Sequence, residues 1–178
     1  MNPSSMTPVD WAKRPIVEKY ADFTGRAPRA EYWWYILGLV VVAIVLSIVE
    51  SIYGVKGMIL GIWGPLTGLF ILATIVPSLA AGARRLHDTN RSGWWQLLFY
   101  VPYALMIVLG GAAIAGGAAA GGTMGAIAGA GIAGLLGLIA LVCGIILLVF
   151  MVLPGQPGQN RYGPNPYGEA GDATVAAE

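Results

Sequence analysis

Charged positions drop out of this chain in long blocks. No Asp, Glu, Lys or Arg occurs in the 18 residues between Glu31 and Glu50, the 27 between Lys56 and Arg84, or the 69 between Arg91 and Arg161. Val, Ile, Leu, Ala, Gly and aromatics dominate all three runs. A bilayer's hydrocarbon core is about 30 Å thick, and a helix needs about 20 apolar residues to cross it. The runs therefore predict membrane spans. The first is expected over about 32–53 and the second within 57–83, with Pro65 in its opening turn. As one helix the third run would be about 100 Å long, so it must fold back. Its weakest helical stretch is 110–125, where glycine pairs stand at 110–111, 116–117 and 121–122, each glycine costing about 1 kcal/mol relative to alanine. That break places a third span at about 94–115 and a fourth at about 126–153. The length of the run alone also admits one or three crossings.

The flanks read differently. Residues 1–31 are polar and lack the apolar h-region of a cleavable signal peptide, so the first span is expected to serve as an uncleaved anchor. Pro15 suits the opening of a short helix. Ile16, Val17, Tyr20 and Phe23 would form its apolar stripe and Gly25 its C-cap, giving an amphipathic segment lying on the membrane surface. After Leu153, four prolines among glycines rule out a continuing helix, and the last ten residues are expected to be disordered. The division is thus a lead-in (1–31), a transmembrane domain (32–153) and an irregular tail (154–178). The fold class is all-α: an integral membrane bundle of four transmembrane helices with a cytoplasmic N-terminal amphipathic segment.

Composition agrees with lipid as the solvent. The chain is 57% hydrophobic and 11% charged, against about 25% charged in ordinary soluble domains. A net charge of +1 argues against nucleic acid as a partner. One cysteine, Cys143, excludes an internal disulfide and reads as a packing residue. Four crossings put nine of the ten Lys and Arg residues on one side and leave only Lys56 on the other. By the positive-inside rule that side is the cytoplasm, with both termini in it. Trp33, Trp34, Trp94 and Trp95 then fall at the cytoplasmic interface as an aromatic belt.

Three polar segments break the apolar pattern: Phe23-Thr-Gly-Arg-Ala-Pro-Arg-Ala-Glu-Tyr-Trp-Trp34, Arg84-Arg-Leu-His-Asp-Thr-Asn-Arg-Ser-Gly-Trp-Trp95, and Pro154-Gly-Gln-Pro-Gly-Gln-Asn-Arg-Tyr-Gly-Pro-Asn-Pro166. Their motifs are Gly-Arg-x-x-Arg-x-Glu-Tyr-Trp, Arg-Arg-Leu-His-Asp followed by Ser-x-Trp-Trp, and Pro-Gly-x-x-Gly-x-Asn-Arg-Tyr-Gly. In this order they resemble the bacterial inner-membrane family known as domain of unknown function 805, the YhaH-like proteins. The resemblance covers most of the chain and implies a multi-pass protein of the bacterial inner membrane. It implies no reaction. A longer Gly/Ala-rich stretch before the last span sets this chain apart.

All the basic residues in these segments are arginines: Arg26, Arg29, Arg84, Arg85, Arg91 and Arg161. A guanidinium binds carboxylate or phosphate through two parallel hydrogen bonds, which an ammonium does not do. Glu31, Asp88 and His87 sit among them. One reading is an arginine-lined cytoplasmic face that binds an anionic lipid headgroup, a phosphate-bearing ligand or an acidic protein partner. The other is structural: the arginines set topology, meet lipid nonspecifically and pair with Glu31 and Asp88.

Catalysis finds little support. His87-Asp88 is the only acid–base pairing suggested, and neighbours in a helix or strand point apart. Asp88 and Asn90 are expected to shape a turn, Ser92 to cap the third span and His87 to bond backbone. No nucleophile has context, one histidine makes a poor metal site, and no cofactor is implied. Gly129-Ala-Gly-Ile-Ala-Gly134 matches G-x-G-x-x-G, but the next acidic residue is Glu169, too far for a dinucleotide site. Gly117, Gly121, Gly125 and Gly129 recur every four residues, as in close helix contacts or in a hairpin. Glu50, at a span's end, is expected to be wetted. Pro77 and Pro102 should kink their helices, leaving carbonyls for other groups to satisfy. The function expected is a non-enzymatic membrane protein binding a partner or anionic lipid. The alternative is a small transporter or channel, which like the first reading allows a homo-oligomer.

Overall fold

The computed structural model describes residues 6–55, 64–119 and 122–168. Lys56, Gly121 and the last ten residues, 169–178, lie outside the described residues. The described residues form helices α1 (Pro8–Val17), α2 (Arg29–Ile52), α3 (Pro65–Asp88), α4 (Leu97–Leu105), α5 (Gly111–Ala119) and α6 (Thr123–Val152). A 3₁₀ turn over Gly93–Gln96 leads into α4, and a π turn over Met106–Gly110 joins α4 to α5. Four helical stretches are long and apolar enough to span a bilayer: Arg29–Ile52, Pro65–Asp88, Gly93–Ala113 and Thr123–Val152. Their surfaces expose Leu37, Val41, Ile44, Leu69, Leu72, Leu135, Leu141 and Ile145, an apolar extent that water would not tolerate but acyl chains do.

The chain packs as two compact units, Met1–Arg91 with Pro154–Glu178, and Ser92–Leu153. In the first, α2 and α3 run antiparallel. Tyr35 Oη meets Ser78 Oγ at 2.9 Å, and Ser47 Oγ meets Thr67 Oγ1 at 3.4 Å. Glu50 is buried rather than wetted. Its carboxylate accepts the backbone N–H groups of Leu66 and Thr67 and the Thr67 hydroxyl, satisfying the otherwise orphaned donors at the start of α3. Gly64 is required beside it, because a Cβ there would overlap the carboxylate.

The lead-in helix differs from the sequence expectation. It begins at Pro8, not Pro15, because Thr7 and Asp10 form a reciprocal capping box: the Thr7 hydroxyl accepts the Asp10 N–H, and the Asp10 carboxylate accepts the Thr7 N–H. Pro15 falls in its last turn, and Gly25 (φ +75°) serves a bend instead of a helix end. α1 packs on α2, with the Ala12 methyl 3.6 Å from where a Gly38 Cβ would sit.

Pro77 lacks the N–H that would bond the Ala73 carbonyl four residues back. Tyr20, beyond α1, fills that vacancy by donating its hydroxyl to Ala73 O at 2.6 Å.

The second unit is a helical hairpin. Trp95 stacks edge-on against Phe150, and the Phe99 ring lies 3.1 Å from a Cβ built at Gly144. Met106 lies against Gly137, and a Cβ built on Gly110 would come within 2.6 Å of the Ala133 methyl. As numbers rise along one leg they fall along the other, so the legs are antiparallel. Gly110 and Gly111 therefore do not break the helix. At Gly110 the facing leg leaves no room for a side chain.

Candidate functional site

The end of the first unit that carries the start of α2, the end of α3 and the tail gathers the charged residues of all three polar segments. α3 continues four residues past Arg84, so Arg84, Arg85, His87 and Asp88 lie on a helix rather than in the expected loop. Helical spacing sends them in different directions. Two carboxylates organise them.

Glu31, in the first turn of α2, is fully buried. Its Oε2 accepts from Arg14 Nη1 at 2.9 Å and its Oε1 accepts from Arg84 Nη1. Arg14 also reaches Glu18 at 3.4 Å and lies over the Trp11 ring. Asp88 binds Arg26 Nε at 2.9 Å through Oδ1 and Arg85 Nη1 through Oδ2.

Arg26 has further acceptors in the tail. It donates to Gly158 O at 2.6 Å and to Gln156 O. Three buried guanidiniums (Arg26, Arg84 and Arg85) thus face two buried carboxylates among the described residues of this end. Nε and Nη2 of Arg84 have no hydrogen-bond partner among the described residues, so within them the network carries more positive charge and more donors than its own acids satisfy.

The tail is docked, which the sequence reading missed. Gln156 N–H donates to Asp88 O at 2.9 Å, Asn160 Nδ2 to His87 O at 2.9 Å, and Arg161 Nη2 to Asn90 O at 3.1 Å. The first two serve carbonyls at the end of α3, and the third serves one in the loop after it. Tyr162 stacks on His87 with centroids 3.8 Å apart and rings 5° from parallel. Gly155 is obligatory, since a Cβ there would overlap the Asp88 carboxylate. The signal lay in the proline and glycine spacing of the tail, which reads as irregular but sets a fixed bend.

His87 does bond backbone, as expected, but the carbonyl belongs to Gly25, 3.1 Å from Nδ1. His87 and Asp88 do not meet, so no dyad forms. Asn90 takes the left-handed turn (φ 58°), and Ser92 caps the next helical segment by accepting the Trp94 N–H. Arg91 donates to Thr89 O at 3.3 Å. Arg29 is exposed and makes no ion pair among the described residues. Arg161 is exposed as well, lying over its neighbour Tyr162. Trp33, Trp34, Trp94 and Trp95 are all exposed, as interface anchors need to be. No cluster of three metal-ligating side chains occurs among the described residues.

The tail is thus bonded to the end of α3 within one compact unit, so the residues flanking the 69-residue run lie together.

The family model that matches, "Protein of unknown function (DUF805)", covers residues 20–164, from Tyr20 through the docked tail. Among relatives, the chain is 40% identical over 94 residues to the inner membrane protein YhaI of Escherichia coli (strain K12), covering 53% of this chain and 75% of YhaI. It is 36% identical over 101 residues to the inner membrane protein YhaH of the same strain, covering 57% of this chain and 81% of YhaH. No solved structure matches. With four membrane-capable helices and a family match over most of its length, the chain belongs to the DUF805 family of inner membrane proteins.

Proposed function

We propose that this is a non-enzymatic inner-membrane protein that recognises anionic lipid through the arginine-bearing end of its first unit, with that end and both termini in the cytoplasm. The observation that carries the reading is a division among the arginines. Arg26, Arg84 and Arg85 are committed to internal pairing, whereas Arg29 and Arg161 expose their guanidiniums at the same end. Trp33 and Trp34 follow Arg29 within two turns of α2, which supports headgroup depth for that guanidinium. The buried pairs then act as scaffold: they hold an excess of positive charge where phosphate groups lie and clamp the lead-in and tail together. The Lys and Arg asymmetry across the spans supports the sidedness.

Co-purification in native nanodiscs, with lipid and protein identified by mass spectrometry, tests the reading. Enrichment of phosphatidylglycerol or cardiolipin over a charge-matched membrane protein is the expected result. No lipid enrichment, with an acidic protein retained instead, would move the site to a protein partner.

A further inference from the structure

We infer that one phosphate group is held in the small polar pocket where the docked tail meets the start of α2, with Arg29 as its principal ligand. This inference rests on the anionic-lipid reading and deepens it by naming the site.

The pocket has a volume of about 80 Å³ and is walled by Arg29, Asp88, Pro154, Gly155, Gln156, Asn165 and Tyr167. That is room for one small group, not for an organic substrate. Its walls come from both ends of the chain, so it exists only when the tail is docked.

The charges around it do not balance. Asp88 is the only carboxylate in the wall, and its two oxygens are already taken by Arg26 and Arg85. Arg29 adds a third guanidinium with no ion pair of its own among the described residues. Three positive groups thus surround one negative group beside a cavity, and an anion would restore neutrality. Arg29's planar fork matches two phosphate oxygens.

Tyr167 supplies a second donor. It lies in the same wall, and burial holds its phenol above the usual tyrosine range. A protonated phenol can donate to an oxyanion. Neither Arg29 nor Tyr167 is required by the buried network, which closes on Arg14, Arg26, Arg84 and Arg85.

The chemistry recognised is a phosphate oxyanion, whether on a lipid headgroup or free in solution. The full chain is purified in detergent, and its thermal stability and bound mass are followed on titration with phosphatidylglycerol, phosphatidylcholine or inorganic phosphate. Wild type is expected to retain and be stabilised by phosphatidylglycerol over phosphatidylcholine. Arg29→Gln should lose at least tenfold in that affinity, Arg29→Lys less, and Lys13→Gln, an exposed cation on α1, should change it less than twofold.

Gly155→Ala, which displaces the tail from Asp88, should abolish the preference with Arg29 intact. Protection by inorganic phosphate that Arg29→Gln removes would support the pocket and assign the free ion as its occupant. A phosphatidylglycerol preference unchanged within twofold in Arg29→Gln overturns the pocket while the lipid reading stands. A wild type indifferent to all three probes overturns both.

Discussion

Asp88 shows what a buried carboxylate does in a membrane protein rich in arginine. It neutralises Arg26 and Arg85 together, and removing one partner from such a set leaves the others charged and unpaired in a low-dielectric setting. Asp88→Asn is expected to cost about 3–5 kcal/mol, read as lost thermal stability of the purified protein, whereas Arg29→Gln without added ligand should cost almost nothing. Tyr20 offers a sharper test, since its hydroxyl stands in for the N–H that Pro77 lacks. Tyr20→Phe should cost about 1 kcal/mol. In a Pro77→Ala background the restored backbone bond should make the same substitution nearly silent, so a double-mutant cycle measures the coupling directly. The arginines and acids of this end were readable as a candidate cluster from their spacing. Their allocation was not, because pairing depends on which face of α3 each residue occupies, and that required knowing that the helix runs on to Asp88.

At the scale of helices, hydropathy located the four spans within a few residues, since a 30 Å solvent layer imposes its length on the sequence. Glycine misled where it was taken only as a helix breaker. Gly110 lies inside the π turn because α6 approaches there, leaving no room for a side chain beside Ala133. Gly111, one position on, faces open space. Gly110→Ala should therefore destabilise the hairpin by about 1–3 kcal/mol, and Gly111→Ala should not, which unfolding of the two variants compares. The lead-in helix was misplaced for a related reason. Pro15 drew attention as an opening residue, while the Thr7–Asp10 box eight residues earlier fixes the true start. Glu50 differs as well: a carboxylate at a span's end is expected to seek water, but the first turn of α3 offers it three donors instead.

For the molecule as a whole, the docked tail bears on a topology that charge counting alone leaves weakly determined. Arg161 was the one basic residue whose side depended on the number of crossings, and its bond to Asn90 O ties it to the loop after α3. Reporter fusions at Asn90 and after Tyr167 should give the same sidedness, and a fusion at Gly57 the opposite. A reporter inserted at Gly121 should agree with Gly57. Opposite readings at Asn90 and the tail would disconnect the three polar segments and remove the proposed lipid-binding end. In packing, lead-in and tail join the first two spans in one compact unit and the remaining run makes a unit of its own.

The order in which a ribosome delivers these parts gives the clamp a further role. Arg26 leaves the exit tunnel early, yet its acceptors Gln156 O and Gly158 O are made more than a hundred residues later. Until then Asp88 can pair only the Nε side of that guanidinium, and its Nη donors and the carbonyls of His87 and Asp88 lack their tail partners. A product released just after Val152 would keep every hydrophobic segment and still lack this closure. The charged end of the first unit therefore closes only once the tail segment from Gly155 to Arg161 is in place.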